Sequence, residues 1–179
     1  GPQEPVRSIR NSRYGYTNHE DVKVSYASLE TYLADIAKLV ETGKLSEEKE
    51  FYAPVRLRGG KRVADLVSAG IRYIELRNID IDPFARYGIS KGQVAFLHFF
   101  LLFLSTKEEG SDADAWIEEG NQRNDQVALE HPLAPLTYQQ EAQALITEMM
   151  DFAQALELPH PPFLDQLSEI LAEPERTFA

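Results

Sequence analysis

Residues 71–84 read Ile-Arg-Tyr-Ile-Glu-Leu-Arg-Asn-Ile-Asp-Ile-Asp-Pro-Phe, and the alternation in this stretch decides the fold. From Ile71 to Ile79 β-favouring residues dominate, and in an extended chain side chains two apart share a face. Tyr73, Glu75 and Arg77 therefore line one face, and Ile74 and Leu76 the other. The Cα atoms of Glu75 and Arg77 would stand roughly 7 Å apart. That separation lets them serve one ligand, a carboxylate for a divalent cation and a guanidinium for phosphate. The same pair is what a solvent-facing ion-pair ladder looks like, a common feature that contributes little stability. Asp80 and Asp82 offer oxygens at a spacing that suits a hard cation. The glycine and closing glutamate of an EF-hand are absent, however, and an Asp before Pro83 favours a turn.

Outward from this strand the pattern turns helical. Ser28 caps an amphipathic run, Leu29, Tyr32, Leu33, Ile36, Ala37 and Val40, that Gly43 closes. A shorter helix spans Val63 to Ser68 and ends at Gly70. Ser90 and Gln93 form a capping box, with Ile89 stapled on Val94, which starts a helix running to about Leu104. Further helices are expected from Asp114 to Leu129, from Thr137 to Leu156 with Thr137 and Gln140 as a second capping box, and from Pro162 to Leu171. One β stretch among so many helices predicts a helix-dominated α+β fold with a small antiparallel sheet. Tyr138, Leu145, Met149 and Phe152, at helical spacing, read as core.

At 179 residues with 43% apolar and 26% charged residues, one soluble domain around a single core is the default. Lys and Arg number 18 against 29 Asp and Glu, a net charge of −11, which argues against gripping a nucleic-acid backbone. Residues 1–91 carry 15 basic and 13 acidic groups, and residues 92–179 carry 3 and 16. Arginines for an anion must therefore come from the first half, from Arg7, Arg10, Arg13, Arg56, Arg58, Arg62, Arg72 and Arg77, with Lys61. The absence of cysteine removes disulfides, thiolate metal sites and thiol nucleophiles, and fits a reducing, cytoplasmic setting. The most apolar run, Val94 to Leu104, would reach only roughly 16 Å as a helix, against about 30 Å for a bilayer core. It is expected instead to be buried all round by elements that this chain does not all supply. The opening Gly1-Pro2 reads as a cloning scar, leaving residues 3–179 as the protein's own.

Other groups carry weaker signals. Arg7 to Asn18 mixes basic, hydroxyl, amide and aromatic groups around Gly15, a composition that suits carboxylate or phosphate and equally suits a plain polar loop. Phe51 to Gly60 reads as ending in a flexible basic loop and lacks the G-K-[ST] close of a P-loop. His19, His98, His131 and His160 show no metal-ligand spacing, and His98 in its apolar run reads as a hydrogen-bonded core residue. No nucleophile elbow is present.

Arg10 with Gly15-Tyr-Thr-Asn18, then Tyr52-Ala-Pro-Val-Arg56, then Tyr73-Ile-Glu-Leu-Arg77 continuing to Pro83-Phe84 together resemble the bacterial glutamate-cysteine ligase family in order and spacing. The closing Glu173-Pro-Glu-Arg-Thr-Phe178 resembles another family segment. The resemblance covers nearly the whole chain and implies that residues 3–179 are the C-terminal portion of a longer catalytic domain. The upstream half of the same enzyme would supply further acidic metal ligands. The implied activity is ATP-dependent joining of the L-glutamate γ-carboxylate to the L-cysteine amine through γ-glutamyl phosphate, with Mg²⁺. By position, Glu75 matches the family's metal ligand and Arg77 the arginine on the transferring phosphate. Arg10, Tyr16 and Tyr52 match positions lining the amino-acid site, and Arg56 matches a basic position suited to nucleotide or phosphate. The short link with Arg58-Gly-Gly-Lys61 resembles the bifunctional glutathione-synthesising enzymes, in which an ATP-grasp domain follows downstream. The implied fold is similar to glutamine synthetase, with substrates held on a curved antiparallel sheet.

Two other readings stand beside it, a different ATP-dependent carboxylate-amine ligase of that fold, and a non-catalytic helical interaction or regulatory module. Both the family reading and the interaction reading predict exposed apolar surface along Val94 to Leu104. Light scattering at rising concentration, with an apolar dye, is expected to show self-association and dye binding. A strictly monomeric, dye-silent chain would contradict this.

Overall fold

The computed structural model describes residues 1–18 and 22–176. His19, and Thr177 and Phe178 of the closing segment, lie outside the described residues. The element order is α1 (Leu29–Glu41), β1 (Val55–Arg58), α2 (Asp65–Ala69), β2 (Tyr73–Leu76), α3 (Lys91–Leu104), α4 (Ala113–Ala128), α5 (Gln139–Ala155) and α6 (Pro162–Ala172). Short 3₁₀ turns cover Glu48–Glu50 and Pro174–Arg176. The fold is α+β and helix-dominated, with one antiparallel strand pair among the described residues.

Instead of the single core expected from length, the chain forms two compact units. The sheet unit comprises Ile9–Ile79 and Gly110–Asp125. Its core gathers Tyr32, Ile36 and Leu39 from α1 with Phe51, Ala53 and Leu66. The amphipathic spacing of α1 accounts for this, because residues 32, 36 and 39 fall on one helical stripe. Ser28 caps it in a box with Thr31, and Gly43 follows with φ of 73°. The two strands lie next to this core, and the Tyr26 hydroxyl donates to the Val55 carbonyl at 3.1 Å.

β1 was not anticipated, since its basic composition and following Gly-Gly read as a loop. The strand is real because it has a partner, with Val55 opposite Leu76, Arg56 opposite Glu75, Leu57 opposite Ile74 and Arg58 opposite Tyr73. β1 also sets the length of β2, which is four residues and not the expected Ile71 to Ile79. Pro54 has no N–H to extend the ladder, although its carbonyl still accepts from Arg77 N–H at 2.8 Å. At the other end a side chain on Gly59 would collide with the Gly70 carbonyl, so the connection closes only on glycine.

The helical unit comprises Gly1–Ser8, Asp80–Glu109 and the chain from Gln126 on. Phe99 and Phe103 of α3 pack with Ile146, Met149 and Ala153 of α5 and Leu164 of α6. The Phe152 ring meets Phe99 and Phe103 at centroid distances of 5.7 and 5.6 Å. The α3 start is as expected, with Ser90 and Gln93 in a reciprocal capping box. Its burial is not. Only the stripe through Phe99 and Phe103 is buried, while Val94, Leu102 and Leu104 remain 53%, 46% and 43% exposed. His98 lies exposed on the stripe of Val94 and Leu102, so it is no core residue. Leu145 also faces outward, and its neighbour Ile146 takes the core position. The second capping box is absent. Thr137 N–H donates to the Glu130 carboxylate at 3.1 Å, and α5 begins after Tyr138 with no side-chain cap. Asp82 forms the expected turn, its carboxylate accepting from Phe84 N–H at 2.9 Å.

Leu164 is fully buried while Leu104 is not, so truncation should separate them. Leu164→Ala is expected to cost about 2–5 kcal/mol and Leu104→Ala about 0.5 kcal/mol or less in denaturant unfolding. Equal costs would contradict the packing described.

Candidate active site

Arg56, Glu75 and Arg58 share one face of the strand pair by register, and Arg77 continues that face one step beyond β2. Directly opposed residues in an antiparallel pair point the same way, and long side chains also reach their diagonal neighbours. Glu75 does so on both sides. Its Oε2 accepts from Arg58 Nε at 2.9 Å, and its Oε1 accepts from Arg77 Nε at 3.0 Å. The expected same-face pairing of Glu75 and Arg77 is thus present, and Arg58 is added from a segment that read as loop.

Three guanidiniums surround this one carboxylate. Arg56, opposite Glu75, is only 3% exposed. Burial first, then the like charges of Arg58 and Arg77, hold its proton affinity below the usual arginine range, with Glu75 and Tyr32 acting the other way. It stays charged at neutral pH, so the face carries an excess of two positive charges in a chain of net −11. Burial alone would push the Glu75 carboxyl up. Hydrogen bonds from Arg77 and Arg58, with their charges, overcome this and hold it below its ordinary value.

The loop from Arg10 to Asn18 is fastened beside the strand end. Arg10 Nη1 donates to the Arg77 carbonyl at 3.3 Å, and Asn11 Nδ2 donates to the Asn78 carbonyl at 3.1 Å. From α4, Asn124 Nδ2 donates to the Asn11 carbonyl at 2.7 Å, and Asp125 accepts from Arg13 Nε at 2.9 Å. A side chain at Gly15 would collide with the Arg10 carbonyl, so the loop folds back on itself only there. The Asn18 side chain bonds both polar groups of the Tyr52 backbone, accepting from its N–H at 2.9 Å and donating to its carbonyl. This clamp sets Tyr16 against Tyr52, with ring centroids 5.9 Å apart and planes 29° apart. Arg77 completes the cluster, its guanidinium carbon 6.0 Å from the centre of the Tyr52 ring.

Arg10, Tyr16, Tyr52, Arg56, Glu75 and Arg77 therefore form one connected cluster within the sheet unit. Two more residues belong with them: Arg58, which the sequence offers only as one of several arginines for an anion, through Glu75, and Asn18, named only within the Arg7 to Asn18 stretch, through Tyr52. The place of Arg58 beside Glu75 is hidden in the sequence because a four-residue strand bounded by proline and glycine looks like a loop until its partner is known. Two of the other candidate arginines are occupied elsewhere. Arg7, in the helical unit, bonds Glu130 at 3.2 Å and the Pro132 and Ala134 carbonyls, and Arg13 pairs with Asp125. Among the described residues no group of three or more His, Asp or Glu side chains is placed to hold a metal ion. No helix among the described residues is long and apolar enough to cross a membrane.

A carboxyl whose folded affinity for protons is depressed contributes stability in full above its ordinary value of 4.5 and loses it as pH falls through the lowered one. The thermal midpoints of the unmodified chain and Glu75→Gln are expected to differ at neutral pH and converge in acid. A gap that stays constant into acid would contradict the double ion pair.

Residues 40–127 match the family model of glutamate-cysteine ligase. The chain is 59% identical over 155 residues, 87% of its length, to the glutathione biosynthesis bifunctional protein GshAB of Enterococcus faecalis. It is 41% identical over 177 residues, 98% of its length, to the protein of that name in Streptococcus agalactiae. It spans 20% and 24% of those relatives. Among solved structures, a bifunctional glutathione synthetase from Pasteurella multocida superposes with a TM-score of 0.89 at 36% identity, over 96% of this chain and 23% of that one. A glutamate-cysteine ligase from Francisella tularensis, solved in complex with AMP, shares the fold with a TM-score of 0.79 at 22% identity, over 95% of this chain and 42% of that one. The motif along β2, the connected arginine–tyrosine cluster beside it and these likenesses converge, and the chain belongs to the glutamate-cysteine ligase family.

Proposed function

We propose that this chain is the C-terminal portion of the catalytic domain of a cytoplasmic glutamate-cysteine ligase, with residues 3–179 native to it. The reaction joins the γ-carboxylate of L-glutamate to the amine of L-cysteine, at the expense of ATP, as the first step of glutathione biosynthesis. The observation that carries this reading is the excess of positive charge around Glu75 on the face of β1 and β2. Such a face suits a polyanion, and acyl phosphate chemistry is where a ligase needs one.

The roles are those that the family resemblance implies by position, and the groups present suit them. When a γ-carboxylate oxygen attacks the terminal phosphorus of ATP, ADP leaves and negative charge spreads over the phosphoryl oxygens. Arg77, engaged by Glu75 through Nε, has its terminal nitrogens to offer those oxygens, and Arg56 adds a fixed charge from β1. The cysteine amine then attacks the acyl carbon, inorganic phosphate departs with the oxygen that bridged it, and the nitrogen sheds a proton. Arg10 and the hydroxyls of Tyr16 and Tyr52 are proposed to hold the amino-acid substrates, Arg10 by their carboxylates. Mg²⁺, when bound, would neutralise phosphate charge. Glu75 is proposed as one of its ligands, the others coming from the upstream half of the enzyme, since the described residues offer no complete set. The bifunctional relatives support a downstream ATP-grasp domain as a second partner.

The chain alone, given Mg²⁺, ATP, L-glutamate and L-cysteine, is expected to release no ADP, and addition of the upstream half is expected to restore release stimulated by both amino acids. In that reconstituted enzyme Arg77→Ala should lower the rate by roughly 10²–10³, the cost of removing one group that stabilises transition-state charge. Release that ignores the amino acids, or survives Arg77→Ala unchanged, would overturn the reading.

A further inference from the structure

Arg58 and Arg77 grip one carboxylate in the same manner, each through Nε, at 2.9 and 3.0 Å. A guanidinium held at Nε keeps its two terminal NH₂ groups for other acceptors. The arrangement is costly, because Arg58 adds a third positive charge near Arg56 and Arg77 and by repulsion weakens the hold of buried Arg56 on its proton. A residue that only completed the strand pair would need no charge, since position 58 lies opposite Tyr73 and not opposite an acid. What Arg58 does supply is a second anchor for Glu75. With one oxygen tied to β1 and the other to Arg77, the carboxylate cannot turn without breaking a charge-assisted hydrogen bond.

We propose that Arg58 is a positioning residue for phosphoryl transfer, acting through Glu75 to fix the Arg77 guanidinium with its terminal nitrogens presented to phosphate. This rests on the phosphate role of Arg77 proposed above. Removal of Arg58 leaves Oε2 of Glu75 without its partner on β1, and Arg77 then follows a carboxylate that turns about its own side chain. The like charge of Arg56 pushes Arg77 away from the orientation it had.

The test is a double-mutant cycle on the 179-residue chain, with inorganic phosphate as the probe, read by calorimetry and by backbone NMR shifts at Arg77 and Asn78. Arg58→Gln is expected to weaken phosphate binding by about tenfold, the scale on which partners of a ligating group act. In a Glu75→Gln background the same change is expected to cause no further loss, because the link is already cut. Arg58→Lys should recover only part of the affinity, since an ammonium restores charge but not the Nε geometry. An equal loss in both backgrounds would make Arg58 a direct phosphate contact, and full rescue by lysine would make it a mere charge. Either result overturns the proposal, as does unchanged affinity in Arg58→Gln. Failure of the unmodified chain to bind phosphate counts against the functional reading. The Arg58 proposal is then decided by the Arg77 and Asn78 shifts alone, which must move in Arg58→Gln and not move further when Glu75→Gln is added.

Discussion

Glu75 holds two arginines that arrive from different strands, and the polar half of the sheet unit depends on that hold. Without the carboxylate, Arg56, Arg58 and Arg77 would be three like charges on one face of a four-residue strand pair, one of them buried. With it, two of them are pinned by directional bonds, and part of their mutual repulsion is offset. The same carboxylate therefore serves folding and chemistry. It makes a cationic face tolerable, and it leaves that face short of negative charge by the amount that a phosphate group brings.

The supporting parts fix this face in place. The core beneath α1 backs the strands, and the Arg10 to Asn18 loop is tied to the end of β2 on one side and to α4 on the other. Asn18 clamps the backbone of Tyr52, and the Tyr52 ring in turn meets both Tyr16 and Arg77. Residues separated by 67 positions in the chain thus share a neighbourhood only a few side chains wide. Preorganisation of this kind lets arginines stabilise charge without moving at the moment it develops.

Much of this was legible in the sequence. Alternation along Tyr73 to Arg77 placed Glu75 and Arg77 on one face, the Ser28 cap and Gly43 stop located α1 to within a residue or so, and the Ser90–Gln93 box located the start of α3. Pattern could not show pairing. β1 looked like a loop because its strand character exists only against β2, and the pairing of Arg58 with Glu75 was hidden with it. Pattern also could not rank the faces of a helix that is apolar all round. In α3 the sequence offers several apolar stripes, and packing against α5 and α6 selects the one through Phe99 and Phe103, leaving His98 outside. Thr137 has the composition of a cap, but a bond to Glu130, seven positions earlier, claims its N–H first.

The most direct test of the central claim is a crystal structure of this chain soaked in phosphate. The account predicts that Glu75 still bridges Arg58 and Arg77 and that phosphate density lies against the terminal nitrogens of Arg77, on the face shared with Arg56. Arginines turned away from Glu75, or phosphate bound only elsewhere on the chain, would contradict it.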